Sequence, residues 1–226
     1  MSKRRAPTQA QLRALLETYA TRRDEFEYFR SQVSKFFESS SKFHTPPLAL
    51  VHSVKSRLKD VDHLEEKLKR KWLELAPTPE NLFEKITDFA GVRVLHLHTA
   101  QFGDIHRAIM KHISDGFWVL KEDPVAYSWD PEATAYFEGL GLNSVLRETY
   151  YTSIHYVVKP HQRTDLTCEI QVRTLFEEAW GEIDHALNYP AKTENLACKE
   201  QLRVLAKLAS TGTRLADSIF KVAEAQ

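Results

Sequence analysis

Cys168-Glu169-Ile170-Gln171-Val172-Arg173-Thr174 runs straight into Leu175-Phe176-Glu177-Glu178-Ala179-Trp180-Gly181-Glu182-Ile183-Asp184-His185. The first seven residues alternate apolar and polar, as an extended strand requires when successive side chains point to opposite faces. Cys168, Ile170 and Val172 then pack inward, while Glu169, Gln171 and Arg173 share the other face. A row of carboxylate, amide and guanidinium on a sheet is costly unless a ligand, ion or partner uses it. An acceptor, an amide and a fixed cation are also the groups that grip a metal-bound phosphate. From Leu175 to Leu187 the spacing turns helical.

Outward from that strand, the chain divides by period. Leu12, Leu15, Leu16, Tyr19, Phe26, Phe29, Val33, Phe36 and Phe37 recur at helical intervals over 8–39, until Ser39-Ser40-Ser41 breaks the pattern. The aromatic members of that series read as core. Pro46-Pro47 marks a turn. A strongly charged helix is expected from about Leu58 to Leu75, and a short one over 80–86 after Pro77-Thr78-Pro79. Residues 91–97, 117–121, 154–159 and 166–173 read as strands, and 102–113 and 195–223 as helices. The stretch 127–151 holds Pro131, Gly139 and Gly141 and reads as a loop with one helical turn. Strands bracketed by helices predict an α+β fold, a mixed sheet flanked by helices. The expected division is a helical extension over 1–45, a central domain over 46–192 and a C-terminal helix over 193–226. Leu202, Leu205, Leu208 and Leu215 suit that last helix for packing on the domain or on a second copy.

Composition excludes several classes. At 226 residues the chain buries a substantial core, and its 42% hydrophobic and 27% charged residues are ordinary for a globular protein. Lys+Arg and Asp+Glu balance at 31 each, so no global field attracts a polyanion. Any nucleic-acid contact must be local, and Lys3-Arg4-Arg5 with Arg22-Arg23 is the faint hint of one. Two cysteines without CxxC spacing argue against a zinc site or a disulfide framework. No apolar run spans a membrane, and no apolar signal core follows the basic start, so a cytoplasmic protein is expected.

Three further segments join the opening one. Arg57-Leu58-Lys59, with Glu66-Lys67-Leu68-Lys69-Arg70-Lys71, forms a cationic stripe if helical, Lys59 and Lys67 two turns apart and Arg70 beside Lys67. Taken alone, such a run is more often a solvated helix face. Asp88-Phe89-Ala90-Gly91-Val92-Arg93 offers a carboxylate beside small residues that permit close approach. Tyr150-Tyr151-Thr152-Ser153-Ile154-His155 leads an aromatic pair into a strand histidine. His155, Trp180 and His185 also admit a purely structural reading, and His96, His98, His106 and His112 show no ligand geometry.

In this order the four segments resemble the synthetase domain of the RelA/SpoT family of alarmone synthetases, over roughly residues 50 to 190. The D-x-A-G-x-R, Y-x-S-x-H and E-I-Q-V-R-T…W-x-E-I-x-H patterns carry the resemblance. It implies a nucleotidyltransferase-like fold and transfer of the β,γ-pyrophosphate of ATP to the ribose 3′-hydroxyl of GDP or GTP. It implies Mg²⁺ as cofactor, held by Asp88 and Glu169 as the catalytic carboxylates, with Glu169 also able to take the proton of the attacking hydroxyl. Arg57, Lys59, Lys67, Arg70 and Arg93 are the implied ATP ligands. Tyr151, which would stack on the acceptor base, and His155, Gln171 and Arg173 make up the implied acceptor site. Family members of this size often form homo-oligomers.

The segment before Tyr151 departs from the family's K-D-Y-x-x-x-P-K-x-N-G-Y. Lys121-Glu122-Asp123 begins it, but no Pro-Lys pair follows and Tyr150 stands where glycine is usual. A charge expected near the acceptor phosphates is therefore missing, and guanine specificity is open. An adenine nucleotide or the 3′-end of tRNA is the alternative acceptor. A silent nucleotide-sensing or partner-binding module is the alternative of another class, against which the retained Asp88, Glu169 and Arg57/Lys59 pair argue. No histidine-aspartate hydrolase signature accompanies the segment, so synthesis without breakdown is expected.

Overall fold

A computed structural model describes residues 6–45, 49–189 and 191–224. The Pro46-Pro47 turn and Lys3-Arg4-Arg5 lie outside the described residues. The fold is α+β, as its pattern predicts. Seven strands make one mixed sheet: β1 (Ser53–Leu58), β2 (Ala90–His96), β3 (Val119–Leu120), β4 (Val125–Ser128), β5 (Asn143–Leu146), β6 (Ser153–Lys159) and β7 (Cys168–Thr174). Their order is β1-β2-β7-β6-β4-β5, with β3 on the far end of β6. β2 with β7 and β4 with β5 are parallel pairs, and the other pairs are antiparallel.

The alternation read in β7 holds. Cys168, Ile170 and Val172 are fully buried, as are Ala90, Val92 and Val94 on the same face of β2. Helix α1 (Gln9–Ser39) covers that face, started by a Thr8–Gln11 capping box. Its Tyr19 and Phe26 join Phe83 and Phe89 in an aromatic cluster with centroids 4.8 to 6.2 Å apart. The Tyr19 hydroxyl donates to the carbonyl of Lys59 at 2.9 Å, so the core also holds the segment that leaves β1. α1, α2 (Val61–Leu75), the short α3 (Leu82–Lys85), α4 (Gln101–Ser114) and the sheet share one hydrophobic core.

Two regions differ from expectation. Residues 53–58 form β1 rather than the approach to a helix, because α2 starts only after Asp60, whose carboxylate caps the backbone amides of Asp62 and His63. Arg57 is therefore on a strand, Lys59 on the connection, and Lys67 and Arg70 on α2. The stretch 127–151 is also structured. Asp130 caps α5 (Pro131–Gly139) with Pro131 in its first turn, and Gly141 at φ 83° turns the chain into β5. The Asp130-Pro131 pair is the local signal of that helix start.

α6 (Leu175–Asn188) lies against the polar face of the sheet, started by a Thr174–Glu177 capping box. α7 (Leu196–Glu224) packs on α6 through Leu202, Ala206 and Ala209 and leaves Leu208 and Leu215 exposed. Among the described residues no helix is long and apolar enough to cross a membrane. Phe26→Ala empties the centre of the aromatic cluster and should lower stability by about 3–5 kcal/mol, read from the urea midpoint at unchanged slope.

Candidate active site

β2 and β7 run parallel with Gly91 opposite Glu169 and Arg93 opposite Gln171. The segment entering β2 carries Asp88, so both carboxylates sit at the same end of the sheet. They line one cavity of ≈ 250 Å³ with Arg57, Gly91, Arg93 and Gln171. A side chain at Gly91 would meet nothing within 4 Å, so the missing Cβ leaves the cavity floor open between them.

Arg57 and Asp88 also line a second, adjoining cavity with Lys59, Lys67, Arg70, His63, His185 and Tyr189. Asp88 is held there from both sides. Lys59 Nζ donates to Oδ2 at 2.6 Å and Lys67 Nζ to Oδ1 at 2.7 Å. Burial opposes ionisation of Asp88, but the two ammonium groups outweigh it and bring its pKa down to about 2. Burial also lowers the pKa of Lys59, more than Asp88 restores it. Two lysines share one carboxylate, and neither Arg57 nor Arg70 has an acidic partner among the described residues. The lobe is cation-rich and suits a polyanion.

Glu169 is gripped differently. His155 Nδ1 lies 3.0 Å from its Oε1, and Gln171 Nε2 donates to its Oε2 at 2.7 Å. Burial raises the Glu169 pKa, yet its contacts with His155 and Gln171 outweigh it and leave it lowered. His155 Nε2 lies 2.9 Å from the Tyr151 hydroxyl, whose pKa burial raises. The phenol keeps its proton, so in neutral His155 it donates to Nε2 and Nδ1–H donates to Glu169. The result is a hydrogen-bonded line Tyr151–His155–Glu169 ending on a carboxylate that stays ionised.

Of the residues expected to bind ATP, Arg57, Lys59, Lys67 and Arg70 come together in the cationic lobe. Arg93 instead faces the carboxylate cavity, paired with Glu182 at 2.6 Å and Glu178 at 3.3 Å. Of the residues expected at the acceptor, Gln171 lines that cavity, while His155 and Tyr151 stand behind Glu169. Arg173 is buried on the polar face beneath α6, where Glu178 pairs with it at 2.6 Å and its guanidinium lies 5.8 Å from the Tyr151 ring centre. Glu178 also takes Lys55 at 2.8 Å, so one carboxylate ties α6 to β1, β2 and β7.

Several residues were missed. His185 stacks on Tyr189 with centroids 4.7 Å apart and lines the cationic lobe rather than packing α6 on the sheet, and Trp180 packs on α7, donating to the Leu202 carbonyl. Tyr127 meets His155 edge-on at 4.8 Å, and the Arg147 guanidinium lies 4.1 Å from the Tyr127 ring centre. Arg147 stands four residues before Tyr151, the place of the lysine in P-K-x-N-G-Y, so the charge read as missing is present as arginine. Tyr150 takes the left-handed conformation, φ 62°, that the usual glycine favours.

Asp88 and Glu169 are hard oxygen donors on one cavity, and carboxylate oxygens accept more than one bond each. Among the described residues no three His, Cys, Asp or Glu side chains gather as a closed cation site. That donor set fits Mg²⁺, which favours one or two carboxylates completed by substrate oxygens and water, and not a protein-only cage.

A family model described as a region found in RelA / SpoT proteins matches residues 56–194. A search of curated proteins found no match. Among solved structures, small alarmone synthetase 1 from Bacillus subtilis superposes with a TM-score of 0.70 at 18% identity, covering 93% of this chain and 100% of that one. The same protein bound to its product pppGpp gives 0.63 at 20%, over 94% and 98%. Bound to AMPCPP it gives 0.58 at 19%, over 96% and 100%. At these identities the likeness shows the fold.

The pairing at Asp88 makes a stability prediction. A carboxylate lowered from 3.8 to about 2 stabilises the fold in full above its ordinary pKa and loses that contribution as pH falls toward about 2. Asp88→Asn should cost about 2 kcal/mol at neutral pH, and urea denaturation should show the gap to the parent protein closing on acidification.

Proposed function

The chain belongs to the RelA/SpoT family, and on that premise we propose that it is a pyrophosphokinase moving the β,γ-pyrophosphate of ATP to the 3′-hydroxyl of GDP or GTP. One observation carries the reading: the cavity lined by Asp88 and Glu169 opens, through the shared Arg57 and Asp88, into a lobe holding Lys59, Lys67 and Arg70. Transfer of this kind asks for positioned reactants and neutralised phosphate charge, with no covalent enzyme intermediate. The cationic lobe is the triphosphate seat, with its excess of cations over Asp88 met by the ATP phosphates.

Glu169 is the general base. Its carboxylate is ionised, His155 and Gln171 hold both oxygens in place, and the open floor at Gly91 leaves room for the acceptor ribose beside it. The 3′-hydroxyl gives its proton to Glu169 as its oxygen bonds to the β-phosphorus. The bond from that phosphorus to the α-phosphate bridging oxygen breaks, and AMP leaves. Asp88 and Glu169 would hold Mg²⁺, which would supply charge neutralisation on the transferred group. His155 is a positioning residue through its bond to Glu169, and Tyr151 fixes its tautomer.

On the acceptor side, Arg147 on Tyr127 is the cation for the acceptor phosphates. It carries no ion pair among the described residues. Tyr151 is the wall for the acceptor base. These groups suit a phosphorylated nucleoside, and guanine is the base the family resemblance supports.

The test is incubation of the protein and Mg²⁺ with γ-labelled ATP, offering GDP, GTP, ADP, ATP and deacylated tRNA separately. Label on GDP or GTP is expected; label only on an adenine nucleotide or tRNA moves the acceptor, and no label anywhere removes the activity. Glu169→Gln should lower turnover by at least about 10²-fold while the folded spectrum is kept. Arg147→Ala should raise KM for the acceptor about tenfold and leave KM for ATP unchanged; equal changes in both would take Arg147 out of the acceptor site.

A further inference from the structure

Away from the transfer cavities, a separate cavity of ≈ 220 Å³ lies where α4, α5, α6 and α7 meet. Its walls are aromatic. Trp129 and Tyr150 meet at 5.1 Å and 69°, forming a corner, and Trp180 closes another side with its indole N–H bonded to the Leu202 carbonyl at 2.9 Å. That bond fixes the ring, so the wall is pre-formed. A space of ≈ 220 Å³ walled by rings suits a compact molecule.

The charge of the lining is one-sided. Arg214, the cation at the mouth, is already paired with Asp130 and Glu132, each at 3.0 Å. Asp217 accepts from the Ala100 amide at 2.9 Å and lies 2.7 Å from His98 Nδ1. Glu177 lines the cavity with no cation bonded to it. Its Oε2 accepts from the Thr174 amide at 2.8 Å. Burial raises its pKa more than the Thr174 hydrogen bonds and the charge of Arg173 lower it. With Asp130, Glu132, Glu177 and Asp217 against the single cation Arg214, an anion would be repelled by this lining and a neutral guest would leave its negative charge unmatched. A cation satisfies both walls, since ring faces attract positive charge and the carboxylate gains a partner.

We propose that this cavity binds a small organic cation, an amine or quaternary ammonium, seated in the Trp129–Tyr150–Trp180 walls with Glu177 as its counter-ion. The site is independent of pyrophosphate transfer, although Tyr150 is adjacent in sequence to Tyr151 of the Tyr151–His155–Glu169 line.

Titration of the intact protein with choline and tetramethylammonium, against the neutral choline isostere 3,3-dimethylbutanol at constant ionic strength, tests it. Tryptophan fluorescence and calorimetry report binding. Saturable binding of the cations is expected, with the isostere at least about tenfold weaker. Glu177→Gln keeps a carbonyl oxygen for the Thr174 amide and should weaken choline at least about tenfold; Trp129→Leu should do the same by removing a ring face. Absence of saturation by either cation, equal affinity for the isostere, or unchanged affinity in a folded Glu177→Gln protein would each overturn the proposal. The comparison of cation and isostere on the unaltered protein decides the matter even where a variant does not fold.

Discussion

The parallel pairing of β2 with β7, Gly91 opposite Glu169, positions the rest of the transfer cavity. Parallel strands begin at the same end of a sheet, so the residues just before or at their starts become neighbours although Asp88 and Glu169 are far apart in sequence. A slip of one residue would turn Glu169 into the core and Ile170 into the cavity. Ala90, Val92 and Val94 on one strand and Cys168, Ile170 and Val172 on the other, all fully buried, make that slip costly. The face that lines the cavity is thus held in register by the face turned away from it. α1 is part of the same constraint: Phe26 packs into the core behind β2, and Tyr19 bonds the carbonyl of Lys59.

On this frame the charges are arranged in two cation-rich groups around single carboxylates. Asp88 holds Lys59 and Lys67, and Glu178 holds Lys55, Arg93 and Arg173. They differ in what is left over. The Glu178 group is roofed by α6, and its buried Arg173–Glu178 pair ties helix to sheet. The Asp88 group faces a cavity, with Arg57 and Arg70 added and a lysine whose ammonium is disfavoured by burial. A phosphate chain entering there restores partners to cations that the protein alone leaves in excess. Ion pairs so close to a ligand site hold side chains in place and exchange partners when the ligand arrives.

What was legible in the sequence follows from how local each signal is. Glu169, Gln171 and Arg173 were assigned to one face from a period of two, and no distant contact was needed. Their separate fates were not legible: Arg173 is buried because α6 folds back over it, a tertiary event that leaves no mark on β7. Lys59 and Lys67 meet at Asp88 as a group, but by a strand, a connection and a helix, not along one helix face. Asp60 as a helix cap was the local clue to that boundary. His185 admitted a structural reading beside a functional one because helical spacing alone does not separate them, and only the neighbouring Tyr189 and α2 show which cavity it lines. The cavity among α4, α5, α6 and α7 draws on residues from 99 to 217 and had no sequence signal at all.

The segment before Tyr151 shows how one half of such a site tolerates change. The residues proposed for the donor side sit on β1, α2 and the entry to β2, where register and core packing leave little freedom. Tyr127 and Arg147, proposed for the acceptor side, sit on the β4–α5–β5 edge of the sheet, which joins β6 through β4. There Arg147 takes the lysine's place and reaches its position by lying on Tyr127. Tyr150 replaces glycine at a left-handed backbone position, a conformation that costs a non-glycine residue on the order of 1–3 kcal/mol and persists only where surroundings enforce it. The enforcing contact is visible: the Tyr150 ring packs against Trp129 and the α6–α7 cluster. Glycine would relax the backbone and remove that anchor together. The tyrosine therefore trades backbone freedom for an anchor next to Tyr151, the wall proposed for the acceptor base, supplied by side-chain packing that a glycine lacks.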